Sequence, residues 1–120
     1  MVAGQDYRDL FAWQHAMDLV ESVYRLTREW PKEEAYGLTN QIRRAAISVP
    51  SNIAEGQGRN SVKEFVHFLG IANGSIRDLE TQMLIAARLH YTDEPTCTAV
   101  MKQTADAGNL LRGLIRSLRE

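Results

Sequence analysis

After Ser61 the sequence keeps one spacing for seven helical turns. Phe65, Leu69, Ala72, Ile76, Leu79, Met83, Ala86 and His90 follow one another by alternating steps of four and three. This is a heptad seam of the coiled-coil kind, and a strand, whose side chains change face at every residue, cannot present it on one side. Ser61 with Glu64 three residues on reads as a capping box, which fixes where the helix begins. A helix of this length must lay its seam against other helices, so the chain is confined to a helical bundle.

Three further segments supply the partners. From about Leu10 to Trp30, one stripe runs through Leu10, Trp13, Met17, Val20 and Tyr24, and a second through Ala16, Leu19, Val23, Leu26 and Trp30. Pro31 stops this helix, and "PKEEAYG" makes a connector. Leu38, Ile42, Ala45, Val49 and Ile53 mark the second helix, with Pro50 inside it. Proline removes a backbone donor, yet the apolar phase holds on both sides, which predicts one helix kinked at Pro50 and ended by Gly56 and Gly58. The fourth helix starts in "YTDEP", with Thr92 or Asp93 as cap, and carries Cys97, Met101, Thr104, Gly108, Leu111, Ile115 and Leu118. Arg112, Arg116 and Arg119 fall in its last turns, where cations complement the helix dipole. Nothing alternates with period two. The fold expected is all-α: an antiparallel, up-down-up-down four-helix bundle, one domain over residues 1–120.

The bundle carries more apolar surface than it needs. A monomer requires about a 100° apolar stripe per helix. The first helix has two stripes, and the third adds Val66, Phe68, Ile71, Leu84, Ile85 and Leu89 outside its seam. Left bare, these exceed the few hundred Å² that soluble monomers usually tolerate, so self-association through the first and third helices is expected. The competing reading is a bundle tight enough to hide them.

Composition narrows the setting. The formal net charge is −1, so no overall basic field advertises nucleic acid. The single Cys97 has no partner for an intramolecular disulfide and fits a reducing cytoplasm. The start "MVAGQDYRDL" lacks the basic-then-apolar pattern of a signal peptide, and no apolar run reaches the ~18–20 residues that cross a bilayer. A cytoplasmic protein that meets no membrane is expected.

The stretch Tyr36 to Gln82, "YGLTNQIRRAAISVPSNIAEGQGRNSVKEFVHFLGIANGSIRDLETQ", resembles the family named for 23S ribosomal RNA intervening-sequence proteins. The specific pieces are "QIRRAAISVPSNIAEG", the "R…EF…FL" start of the third helix and "IANGSIRDLETQ", and "DLFAWQHAMDLV" resembles the family's opening pattern. The resemblance implies a four-helix-bundle protomer that assembles into a homopentameric ring or barrel. It implies no activity.

Four sets of residues are candidates for chemistry. "GQGRNS" has the glycines and helix start of a phosphate loop, but neither G-x-x-x-x-G-K-[ST] nor a strand followed by G-x-G-x-x-G is present. A glycine C-cap followed by an N-cap explains it, with Arg59 and Lys63 left beside the free N–H groups. Residues 37–77 carry five basic and two acidic side chains against four and seven in residues 1–36. Arg43, Arg44, Arg59 and Lys63 are therefore candidates for a positive band that holds RNA or DNA backbone; the alternative has Arg43 and Arg44 paired with acids of neighbouring helices. Ser48, Asn52 and Glu55 form a polar line on the second helix, and Asn73, Arg77 and Glu80 one on the third; these are read as an inter-helix network that sets assembly or register. Glu64 and His67 make one E-x-x-H pair, but His15 and His90 have no acid three residues before them, so a dimetal set is incomplete and no metal or other cofactor is expected. Cys97 lies on the apolar seam of the fourth helix and reads as a small core residue.

The sequence thus points to a non-enzymatic homo-oligomer, with backbone binding of RNA or DNA as the leading activity and a protein-binding scaffold without nucleic acid as the alternative.

Overall fold

A computed structural model describes residues 6–120 of the chain. The reading against a signal peptide rests partly on residues 1–5, which lie outside the described residues. Four helices make up the fold: α1 (Phe11–Thr27), α2 (Leu38–Gln57), α3 (Val62–Arg88) and α4 (Glu94–Arg119). Short 3-10 turns at Tyr7–Asp9 and Lys32–Glu34 precede α1 and α2, and there is no strand among the described residues. None of these helices is long and apolar enough to cross a membrane.

The helix starts follow local chemistry. Ser61 Oγ accepts the Glu64 N–H at 3.1 Å, and the Glu64 carboxylate turns back to the Ser61 hydroxyl at 3.2 Å. At α4 it is Asp93, not Thr92, that caps, accepting the Thr96 N–H at 2.8 Å with Pro95 in the first turn. Hydrogen bonds from Thr96, first from its side chain and then from its backbone N–H, hold the Asp93 carboxyl below its ordinary pKa. α2 has no side-chain cap at Gly37. Its first turn is served from the connector, where Glu34 accepts the Leu38 N–H at 3.0 Å and the Tyr91 O–H at 2.8 Å. One carboxylate thereby ties the α1–α2 connector to the α3–α4 connector.

The first and larger effect on Glu34 is the Leu38 N–H, the second Tyr91; both favour the ionised form and lower its pKa below the ordinary 4.5. A depressed carboxylate stabilises the fold fully above its unfolded value and loses that contribution as pH falls through the folded value. Glu34→Gln is therefore expected to lower the melting temperature at pH 7. The gap to wild type should narrow as pH falls below the ordinary carboxylate range, measured by circular dichroism over that range.

Helix ends show where spacing misleads. The periodicity carries the first helix to Trp30, but α1 stops at Thr27. A residue before proline is pushed out of helical geometry, and Trp30 precedes Pro31. Trp30 still reaches the core from the turn, 6% exposed, and its ring sits 5.8 Å from that of Tyr91. His90 is not on the α3 seam. It stands beyond the helix end at φ 62, where the Tyr91 N–H bonds Ala86 O at 2.9 Å and the His90 N–H bonds Ala87 O at 3.1 Å. Those two bonds close α3 as a Schellman motif with histidine at the position glycine usually holds.

α2 passes through Pro50 without a break. Gly56 does not end it; the helix runs on to Gln57 and Gly58 is its C-cap, with right-handed backbone at φ −77. Gly56 is buried, and a Cβ built there would lie 2.7 Å from the Phe68 Cβ and 3.2 Å from the Phe65 carbonyl oxygen. Its lack of a side chain is what lets α2 and α3 close on each other.

The helices pack in a ring of neighbours, α1 against α2 and α4, and α3 against α2 and α4, with α1 and α3 on the diagonal. Contacts along α2 and α3 run in opposite directions, Gly56 against Phe65 and Phe68, Ser48 against Ser75. A four-residue turn (58–61) joins these two helices and a five-residue turn (89–93) joins α3 to α4. The core is built from the inner seams: Leu19 and Val23 of α1, Ile42, Val49 and Ile53 of α2, Leu69, Leu79 and Met83 of α3, Thr104 and Leu111 of α4, all fully buried. Each large apolar side chain so placed is worth roughly 1.5–3 kcal/mol. Thr104 joins them because its hydroxyl bonds Val100 O at 2.8 Å within its own helix. Cys97 is half-buried, packed against the core rather than in it.

Candidate functional site

The predicted polar lines meet in part. Ser75 Oγ donates to Ser48 Oγ at 2.8 Å, and Asn52 Nδ2 donates to Ser48 O at 2.8 Å and Ser48 Oγ at 2.9 Å. These three side chains form the polar bridge between α2 and α3. Glu55 is not in it. One turn on from Asn52 it has rotated to solvent, where it reaches Arg59 at 3.6 Å. Arg77 and Glu80 pair with each other along α3 at 3.5 Å and do not cross. Asn73 Oδ1 is buried with no hydrogen-bond partner among the described residues. Ser75 was missed by spacing; the available signal was a small polar residue beside the α3 seam at the same level as Ser48.

The four cations of the expected band do not gather. Arg43 is half-buried against α1: its Nε donates to Thr27 Oγ1 at 2.8 Å and its guanidinium lies 4.4 Å from the Tyr24 ring centroid. Its partners are a hydroxyl and an aromatic face, not the acids expected. Arg59 pairs with Glu55 and stacks 4.8 Å over Phe68. Arg44 and Lys63 are exposed, and among the described residues neither is in an ion pair. Sixteen residues of mostly helical chain separate Arg43 from Arg59, about 24 Å at 1.5 Å each. The band is thus two committed side chains and two open ones.

No phosphate cradle forms at the α2–α3 turn. Gly56 is spent on helix packing, and the α3 N-terminus already holds the Ser61 hydroxyl and the Glu64 carboxylate. His67 stands exposed with its ring edge-on to Phe68 at 5.5 Å, while Glu64 faces the cap. His15 Nδ1 lies 3.1 Å from Phe11 O. Among the described residues no three His, Cys, Asp or Glu side chains come together as a metal-ligand group.

What the protomer does present is apolar surface. The inner α1 stripe is covered, but of the outer one Met17 remains 40% exposed. On α2 Ile47 is 41% exposed, on α3 Ile71 and Ile85 are each 42% and Leu84 52%, and Leu89, just past the end of α3, is 49%. Val66 and Phe68 are half-buried. Between α1 and α2 lies a groove of about 350 Å³ walled by Trp13, Met17, Val20, Ile47, Pro50 and Ala54. It continues past Val20 and Ile47 to Tyr24, Arg25 and Arg28.

The family model of the 23S rRNA-intervening sequence proteins matches residues 8–113. Among solved structures the chain is similar to a crystal structure from Bacteroides thetaiotaomicron, described as a protein of unknown function from the S23 ribosomal protein family. The TM-score is 0.78 at 18% identity, over 87% of this chain and 97% of that one, so the likeness is one of fold. No curated protein matches the chain.

Proposed function

The chain belongs to the 23S rRNA-intervening sequence protein family, and from that footing we propose that it is a non-enzymatic protein that works as a homo-oligomer of four-helix bundles, five to a ring as the family resemblance implies. One observation carries the reading: after the protomer has closed its core, Met17, Ile47, Ile71, Leu84, Ile85 and Leu89 still show 40% or more of their surface. Scattered exposed leucines need no explanation, but an apolar groove holding Met17 and Ile47, with further exposed apolar side chains along α3, marks interaction surfaces. Self-assembly would cover them without a second gene product. The lone half-buried Cys97 suits a reducing cytoplasm.

Native mass spectrometry tests it. A single species at five times 13.6 kDa is expected. Another multiple would discard the pentamer and keep self-assembly; a monomer would discard both.

A second reading is favoured by Arg44 and Lys63, exposed cations that repetition around a ring would multiply into a weak RNA- or DNA-backbone contact. A gel shift at low salt that fades steeply as salt rises, and weakens in Arg44→Ala/Lys63→Ala, supports it. No shift with any of several RNAs and DNAs leaves a scaffold that binds protein.

A further inference from the structure

Arg112, Arg116 and Arg119 stand toward the end of α4, where cations serve the helix dipole. That role does not account for their arrangement. At about 100° per residue the three fall within about 60° of arc, along about 10.5 Å of the helix. With Ile115 and Glu120 they line a hollow of about 480 Å³. All three arginines are exposed, and among the described residues neither they nor Glu120 are in an ion pair. Arg112 is held by a neutral group, its Nη2 donating to Asn109 Oδ1 at 2.6 Å. Glycines make room for two of the guanidinium groups: Arg112 Nη1 lies 3.3 Å from where a Gly108 Cβ would stand, and Arg116 Nη2 lies 3.9 Å from the same place at Gly113.

No acid nearby answers this charge. Residues 107–119 carry the three arginines and no carboxylate, although just before them Lys102 meets Asp106 at 3.1 Å. Ile76, thirteen residues before the 89–93 turn, packs over Gly108, fifteen residues after it, so α3 and α4 run back alongside each other. Phe65 to Ala72 therefore stand level with Arg119 to Arg112, and that stretch of α3 has no acid either. The dipole acts within the last turn, which holds Arg116 and Arg119 but not Arg112. Like charges three and four residues apart on a helix repel and destabilise it. The half charge of the helix end and the Glu120 carboxylate offset about half of the positive charge, and a bound polyanion would offset the rest.

We propose that the α4 hollow of Arg112, Arg116 and Arg119 binds a run of phosphate groups, as in a polyphosphate or the backbone of a nucleic-acid strand. A guanidinium fork matches phosphate oxygens two at a time. Three such forks in a line suit successive phosphates rather than a single one. The site uses neither Arg44 nor Lys63 and needs no second copy of the chain.

Titration calorimetry of the full chain at low salt tests it, with tripolyphosphate, a short single-stranded oligouridylate and an oligoglutamate peptide as separate probes. At least one of the two phosphate probes is expected to bind, and more tightly than oligoglutamate. If the strand binds the tighter, the ligand is a nucleic-acid backbone, and its affinity should fall with salt at a log–log slope of about −2, as for three phosphate contacts. If tripolyphosphate binds the tighter, the ligand is a free polyphosphate. Each single change of arginine to glutamine is expected to weaken binding about two- to fivefold, and Arg112→Gln/Arg116→Gln/Arg119→Gln together about tenfold. Arg88→Gln, the same charge change in the last turn of α3, should leave binding as it was. An unchanged melting curve confirms that each variant folds. Binding of neither phosphate probe, oligoglutamate binding as tightly as they do, or undiminished binding in the triple variant overturns the site. Undiminished binding there with loss in Arg44→Ala/Lys63→Ala overturns it and leaves the backbone contact at those two residues standing.

Discussion

Gly56→Ala is expected to destabilise the protomer by roughly 1–2 kcal/mol, although the same change in an open helix stabilises by up to about 1 kcal/mol. The new Cβ would stand 2.7 Å from the Phe68 Cβ and 3.0 Å from Phe65 Cδ1. A Cβ is fixed to its backbone and cannot swing aside, and the Phe65 carbonyl at 3.2 Å is backbone itself. The helices must part, and overpacking of this kind typically costs 1–3 kcal/mol, against which the helical preference for alanine offsets only a part. Gly56→Val should reach about 3 kcal/mol. Gly70→Ala is the control, since nothing lies within 4 Å of a Cβ there and the change should stabilise by about 0.5–1 kcal/mol. Urea unfolding of the variants reads both signs. Equal effects at Gly56 and Gly70 would contradict the close approach of α2 and α3.

The second contrast lies within α3. Leu79 is fully buried and Leu84, five residues on, is 52% exposed. Leu79→Ala removes core contacts and leaves a cavity, which costs about 3–4 kcal/mol. Leu84→Ala should change protomer stability by less than about 0.5 kcal/mol. The same leucine-to-alanine change is thus expected to divide sharply along one helix, by chemical denaturation under identical conditions. A large loss at Leu84 in the dissociated protomer would mean that α3 is rotated from the packing described.

The same residues show how much of the fold was open to reading. Leu69, Ile76, Leu79 and Met83 recur at helical period, and because burial of that seam outweighs every local preference, phase predicted position. Ser61 and Asp93 were legible because a cap needs a particular oxygen at a particular offset. Helix ends were less so. Trp30 and His90 fit the period, yet the backbone beside Pro31 and the left-handed turn at His90 take both off the helix. Gly56 looked like punctuation near a helix end; whether a glycine marks a turn or a tight crossing depends on the facing helix. Arg43 and Arg59 looked like free cations for a similar reason. Tyr24, Thr27 and Phe68, which hold them, are neighbours only in three dimensions. Of the polar lines, Ser48 and Asn52 found their partner in Ser75, while Glu55, Arg77 and Glu80 stay on the outside.

Two methionines in one molecule allow the most direct test that other copies cover the exposed apolar strips. Met17 is 40% exposed in the protomer and Met83 is fully buried. In hydroxyl-radical footprinting of the wild-type protein at micromolar concentration, Met17 is predicted to oxidise nearly as slowly as Met83. It should speed up on dilution, as the copies separate. If Met17 instead oxidises at the rate of an open side chain at every concentration, its surface is bare in solution, and the assembly account is contradicted at its root.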